Sequence, residues 1–482
     1  MANADAVDYA TSIPNNVNLA EDPRVLRALE TWHPGYLNWW RNMGPAGFQD
    51  SLVYLRTAVS VDPKGWAKFD YVRMPDYRWG ILLAPAQADR VIPFGDHKGE
   101  LAWQEVPGEY RAMLRRLVVI QGDTEPASVE QQRHLGKTAP SLYDMRNLFQ
   151  VNVEEGRHFW AMVYLLHKYF GRDGREEADE LLRRQSGSTD APRMLGAFNE
   201  ETPDWLSFFM FTYFTDRDGK MQLESLAQSG FDPLSRTCRF MLTEEAHHMF
   251  VGTSGISRII EATCTAMRNS GIDDPSDSER VRKLGVIDLP AMQRKLNLHY
   301  TLSLDLFGSE ISTNAANFYR AGLKGRYQET KIDDDHQLVD DTYPVLRVVD
   351  GAIQRLLEPA LTSLNMRLRD DYIVDCLRGI DRWNKALESF GYDFRFVLPH
   401  VAFNRRVGQF AGIEASPTGD MLAKEEWDVQ RDTWLPSTSD GDFIASLMKS
   451  ELRPGHFASW IAPPKVGIDN RSGDFEYVRI DP

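Results

Sequence analysis

The sequence predicts an all-α protein, a four-helix bundle enlarged by further helices and wrapped by irregular segments at both ends. Three observations carry this reading. From Gly108 onward the apolar residues recur with helical spacing. A Glu-x-x-His pair sits on an apolar helical face at Glu155 and His158 and again, about ninety residues later, at Glu245 and His248. The helix ahead of each pair offers one more carboxylate among apolar neighbours.

Composition sets the frame. The 482 residues are 42% hydrophobic and 26% charged, enough for a substantial core. A net charge of −15 argues against a protein that holds nucleic acid or an anionic membrane. Cys238, Cys264 and Cys376 form no CxxC pair, zinc framework or iron–sulfur spacing, a reducing-compartment pattern. No window approaches a membrane span and the start has no basic-then-apolar leader, so the expectation is a soluble cytoplasmic protein. Neither GxGxxG after a strand nor GxxxxGK[ST] occurs, so the chain offers no nicotinamide or flavin site of its own.

In chain order, residues 1–108 read as a covering layer of short helical pieces (Arg24 to Trp32, Gly35 to Arg41), with a hairpin at most around Asp70-Tyr71-Val72 or Arg90-Val91-Ile92. Residues 109–270 read as the four-helix core, 271–400 as additional helices and 401–482 as a second irregular cover, all in one integrated domain.

The first core helix is expected from about Glu109 to Leu135. It carries Gln121 and Glu125 one turn apart, then Pro126, which either ends the helix or distorts it beside a carboxylate. The second opens with Ser141-x-x-Asp144, a capping-box variant, and runs through Glu155 and His158 to about Phe170, where Gly171 stops it. The third is expected to start with Thr202 as cap and Pro203 at its first position. Its Asp216-Arg217-Asp218-Gly219 reads either as a turn or as helix, and in the helix Asp216 shares a side with Phe209, Thr212 and Tyr213. Phe208, Phe209, Phe211, Tyr213 and Phe214 read as plain core, or else as the lining of a pocket.

The fourth helix starts at Asp232-Pro233 and allows two pairs, Glu244 with His247 or Glu245 with His248. At about 100° per residue, Arg236, Arg239 and Arg258 fall roughly 180°, 120° and 140° from Glu245. Arg258 would sit only about 40° from Glu244. Solvated arginines should face away from a buried metal, which favours Glu245 and His248, with Gly252 on the same face to admit a neighbouring backbone or a substrate. Further helices are expected at Leu289 to Leu306, Glu310 to Leu323 and Val345 to Leu387, and KIDDDHQLVDD reads as a solvated acidic loop.

Together Glu125, Glu155, His158, Asp216, Glu245 and His248 give four carboxylates and two imidazoles from four helices. That is the donor set by which a ferritin-like bundle holds two iron or manganese ions. Four carboxylates balance the four charges of two divalent ions.

The segment QGDTEPASVEQQRHLGKTAPSLYDMRNLFQVNVEEGRHFWAMVYLLH resembles the benzoyl-CoA 2,3-epoxidases, the diiron oxygenases of aerobic benzoate degradation through coenzyme A thioesters. So do NVNL, LNWW, YLRTAVSVDPKGWAKFDYV, TPDWLSFFMFT, FMLTEEAHHMFVG, FGSEISTNAANFY, LRDDYI, FASWIAPP and DFEYVRI, over nearly the whole chain. The resemblance implies that the six side chains hold two iron ions, with Gln121 as an additional or alternating ligand. It implies O2 as co-substrate, benzoyl-CoA as substrate, and electrons from NADPH through a separate flavin and iron–sulfur reductase. Asp216 stands where many diiron proteins have Glu. The rival readings are an oxygenase for another acyl-CoA such as phenylacetyl-CoA, a ferritin-like iron store, and a radical-generating subunit with Tyr143, Tyr164 or Tyr213 as the radical site. A monomer or weak oligomer is expected.

Overall fold

The computed structural model describes residues 7–8, 10–47, 51–62, 65–73, 77–332, 338–467 and 478–480. It is mostly helical. The core is four helices: α2 (Arg111–Gln131), α3 (Leu142–Tyr169), α5 (Trp205–Leu226) and α6 (Asp232–Asn269). Around them lie α1 (Pro23–Met43), α4 (Gly171–Arg183), α7 (Ser278–Arg282), α8 (Leu289–Asp305), α9 (Thr313–Arg320), α10 (Leu364–Phe390), α11 (Lys424–Trp434) and α12 (Thr438–Leu447). Among the described residues no helix is long and apolar enough to cross a membrane.

The organising element is α3. Every residue from Leu142 to His167 is buried, so this helix has no solvent face. Its start is the expected one, with the Ser141 side chain accepting from the Asp144 backbone N–H. Its polar residues must therefore all find partners inside the protein. Helix α1 lays Trp32, Tyr36 and Trp39 against Phe159 of α3, with Trp32 and Tyr36 also edge-on to Trp160.

Helix α2 continues through Pro126 as ordinary α-helix, so the proline neither ends nor distorts it, and the helix stops at Gln131, short of the expected Leu135. Helix α5 runs straight through Asp216-Arg217-Asp218-Gly219, with Asp216, Arg217 and Asp218 all buried. Its cap is Asp204, not Thr202: the Asp204 carboxylate accepts from the Ser207 N–H at 2.7 Å. Helix α6 is capped by Phe231 rather than Asp232, one residue earlier than expected. Helices α5 and α6 pack backbone to backbone at Gly252, where a Cβ would lie 2.5 Å from the Tyr213 nitrogen. That is the close approach expected of this glycine.

Several expectations are corrected. The two short N-terminal pieces are one helix, α1, with Pro34 inside it, because the buried indole face holds the helix together across the proline. Gly171, at φ +63, does end α3 as expected, and the polar stretch after it forms a further helix, α4. The helix expected from Val345 starts only at Leu364. Before it, β3 (Thr342–Val349) and β4 (Ala352–Pro359) pair as an antiparallel hairpin. Asp350 and Gly351 turn it, both at positive φ, as an Asp-Gly hairpin turn requires. The helix expected over Glu310 to Leu323 is the shorter α9, capped by Ser312. Of the acidic loop, residues 333–337 lie outside the described residues.

The covering layers are less irregular than the sequence suggests. The hairpin of β1 (Ser51–Asp62) and β2 (Gly65–Arg73) includes Asp70-Tyr71-Val72, and β5 (Val478–Ile480) adds to β1, so the two ends of the chain share one sheet. Helices α11 and α12 lie within the last eighty residues. One continuous hydrophobic cluster reaches from Ile13 to Ile461.

Candidate metal centre

The six side chains singled out in the sequence converge inside the bundle. Glu125 from α2, Glu155 and His158 from α3 form one group of close donor atoms; Glu155, Glu245 and His248 form a second. Glu155 belongs to both. Its two oxygens stand 3.6 Å from His158 Nδ1 and 3.7 Å from His248 Nδ1. Glu245 lies between the imidazoles in the same way, at 3.8 and 3.5 Å. Glu125 flanks His158 at 3.3 Å and Asp216 flanks His248 at 3.8 Å. Asp216, whose place depends on α5 running through the DRDG segment, is thus brought to the same centre.

Gln121 sits differently. Its Nε2 donates to Glu125 Oε1 at 2.8 Å, so its amide is engaged with a neighbouring carboxylate.

Burial governs the electrostatics. The Glu155 carboxyl is pushed well above its usual range by burial, with Glu125 and Glu245 adding to the effect. Burial likewise raises Asp216 to about 8, with Glu245 and Glu125 contributing. Burial alone would lower both imidazoles, but the surrounding carboxylates outweigh it and raise His158 and His248. In Glu125 burial is opposed by the adjacent His158, which brings the carboxyl below its ordinary value.

The residues fit a pair of metal ions on a structural observation. His158 Nδ1, His248 Nδ1, Asp216 Oδ2 and Glu245 Oε2 are buried and make no hydrogen bond. Unpartnered buried polar atoms are costly, and here all four belong to the converging set. Cations between them would satisfy all four, and oxygen and imidazole donors suit iron or manganese.

Sequence reasoning missed the carboxylates behind the imidazoles. His158 Nε2 is 3.0 Å from Glu244 Oε2, and His248 Nε2 is 3.1 Å from Glu154 Oε2. The pairing is crossed: each histidine on α3 or α6 is backed by the glutamate of the other helix. A carboxylate on the far nitrogen fixes the tautomer, leaving Nδ1 as a lone-pair donor toward the centre. The signal was the doublet Glu154-Glu155 and its counterpart Glu244-Glu245; Glu244 reads from the sequence only as an alternative ligand, and Glu154 carries no reading of its own. Glu244 is held in turn by Arg157, through Nε at 3.2 Å and a second bond from Nη2. Glu154 accepts from Gln150 Nε2 at 2.5 Å.

One premise used to choose Glu245 and His248 is corrected. Arg258 is not solvated but buried, bound to both oxygens of Asp144 at 2.7 and 3.0 Å. Periodicity places a side chain on a face but cannot reveal a carboxylate waiting there on another helix.

A cavity of about 400 Å³ adjoins the centre. Its lining includes Gln121, which is hydrogen-bonded to Glu125, with Thr124 and Thr215, the sequence neighbours of Glu125 and Asp216. Phe198, Leu306 and Phe318 make part of its apolar wall. Exposed Arg116 and Arg367 stand on its rim. The aromatic run of α5 mostly packs in the core instead: Tyr213 donates its hydroxyl to the Cys376 carbonyl at 2.6 Å, and only Phe211 joins the small cluster with Phe198 behind the cavity.

No protein-family model matches the chain. Among curated proteins it is 61% identical over 475 residues to benzoyl-CoA oxygenase component B of Aromatoleum evansii, an alignment covering 98% of this chain and 100% of that protein.

Proposed function

Since the chain belongs to the family of benzoyl-CoA oxygenase component B, we propose that it is a diiron monooxygenase acting on benzoyl-CoA. It epoxidises the aromatic ring to 2,3-epoxy-2,3-dihydrobenzoyl-CoA, placing one atom of O2 on the ring and the other in water. The two electrons required come from NADPH through a separate flavin and iron–sulfur reductase, in keeping with the relative's name as one component of a system.

The observation that carries the reading is the convergence of five close donors, with Asp216 beside His248 as the sixth, and four unpartnered polar atoms among them. Glu125, Glu155 and His158 would hold one ion and Glu155, Glu245, His248 and Asp216 the other. Such a pair, when bound, supplies the electrons and Lewis acidity for O2 activation.

The protein's own contribution is position. The cavity leads an acyl group to Gln121, Thr124 and Thr215, beside the centre. Its apolar wall suits a phenyl ring. Arg116 and Arg367 at the rim are placed for the phosphates of coenzyme A, which remain outside. An iron store needs no such chamber.

The test is direct. Iron-loaded protein, NADPH and a partner reductase are supplied with benzoyl-CoA or phenylacetyl-CoA, and oxygen consumption and product mass are followed. Benzoyl-CoA should gain one oxygen atom. Turnover of phenylacetyl-CoA alone, or none with either thioester, would overturn the assignment.

A further inference from the structure

The two halves of the centre differ in how their ligands are backed, and the difference has one sign throughout. On the His158 side, Glu244 is clamped by the Arg157 guanidinium through two hydrogen bonds, both residues being buried. On the His248 side, the corresponding Glu154 takes its second hydrogen bond from the neutral amide of Gln150, and the charges of Arg157 and His247 act on it only through space. Arg146 lies one step further out, its Nη2 donating to Gln150 Oε1 at 3.3 Å.

A carboxylate neutralised by a bidentate guanidinium pulls weakly on the imidazole N–H it accepts. One that keeps its charge pulls strongly and makes the opposite ring nitrogen a better donor to a metal. The outer carboxylates repeat the contrast. Glu125, beside His158, gives up part of its charge to the Gln121 amide at 2.8 Å, whereas Asp216 Oδ2, beside His248, has no hydrogen-bond partner.

We infer that the two metal positions are electronically inequivalent, with Arg157 and Gln121 as the positioning residues that make the His158 position electron-poor and the His248 position electron-rich. Two ferrous ions placed there therefore do not lose electrons at one potential. The ion at His248 oxidises first, and the ion at His158 stays ferrous longer. This rests on the dinuclear reading above.

The test uses the full chain loaded anaerobically with isotopically enriched ferrous iron and oxidised stepwise with ferricyanide, which takes one electron from each iron in turn. Potentials are read by mediated titration and the two irons by Mössbauer spectroscopy. Wild type should show two separated one-electron steps and two doublets of equal area. In Arg157→Gln the steps should draw together, and Arg157→Lys should restore most of the separation. Gln121→Leu should narrow it as well, whereas Gln150→Leu, acting on the opposite half, should widen it. If Arg157→Gln does not fold, since it strands the buried Glu244, the opposed shifts of the two glutamine variants carry the test. A single unresolved step in wild type overturns the inference. So do variants that hold two irons with unchanged separation. Iron content of the same samples keeps the two readings apart: a folded wild type that takes up no iron ends the dinuclear reading, whereas two equivalent irons end only this one.

Discussion

Glu244 Oε2 stands 3.0 Å from His158 Nε2, across from α6 to α3, and the mirror relation joins Glu154 to His248 at 3.1 Å. Two helices thus exchange acceptors, so the register of α3 against α6 is fixed by the centre itself. Breaking the exchange without removing a ligand should loosen the metals. Glu154→Gln is expected to weaken iron binding by roughly 10–100-fold. Competition against a chelator of known affinity checks it, and affinity unchanged within twofold would refute it.

Removal of a ligand should do more. Glu155→Ala and His248→Ala are each expected to lose metal and activity together. Iron analysis of the purified variants, with circular dichroism to verify that they remain folded, decides the matter. Two irons per chain in either variant would contradict the proposed ligand set.

The centre should load in a pH-dependent way. Burial raises Asp216 to about 8, so in the metal-free protein its carboxyl is still protonated at neutral pH. A cation must displace that proton, and apparent affinity should fall as pH drops below about 8. The sign for stability follows. A raised carboxyl stabilises the fold fully below its unfolded value near 3.8 and loses that contribution as pH rises through 8. The metal-free chain forfeits this as it is made alkaline, and bound iron compensates. The gain in melting temperature on iron loading should therefore grow between pH 6 and pH 8.5 (order-of-magnitude bounds around the shifted value). Equal gains at both would count against it.

At the cavity rim, Arg116→Glu and Arg367→Glu should each raise KM for the thioester by about 10-fold, one phosphate contact being worth roughly 1.4 kcal/mol. The value of kcat should hold, because both residues are exposed whereas the six donors are buried. Steady-state kinetics separates the two effects; a fall in kcat at constant KM would place these arginines elsewhere in the reaction.

Gly252 offers a packing test. A methyl group there would meet the Tyr213 nitrogen at 2.5 Å and the Phe209 carbonyl oxygen at 2.8 Å, both backbone atoms of α5. Gly252→Ala should cost roughly 1–3 kcal/mol in chemical denaturation, the usual range for overpacking. A variant as stable as wild type would mean that α5 can shift without penalty.

The donors were legible because Glu-x-x-His is a property of one helix: spacing alone puts both side chains on a face. Asp216 was harder, since a sequence rich in Asp and Gly reads equally as a turn, and only burial of the whole segment holds it helical. The acceptors Glu154 and Glu244 were visible as residues but not as partners, because their pairing depends on how α3 and α6 are set against each other. The same holds for Arg258, whose solvation was assumed while Asp144 lay ready on α3. The β3–β4 hairpin was a different failure. Its Asp350-Gly351 turn is a local signal, but the apolar residues on either side also fit a helical spacing and so favour one long helix.

Because Glu155 belongs to both donor groups, the centre has no independent halves. The first ion to arrive would engage that shared carboxylate and so prepare the seat of the second. Filling is then expected to be cooperative: a half-supplied preparation would contain molecules with two ions beside molecules with none, and few with one. A centre filled in that way would leave few molecules with a solitary ion.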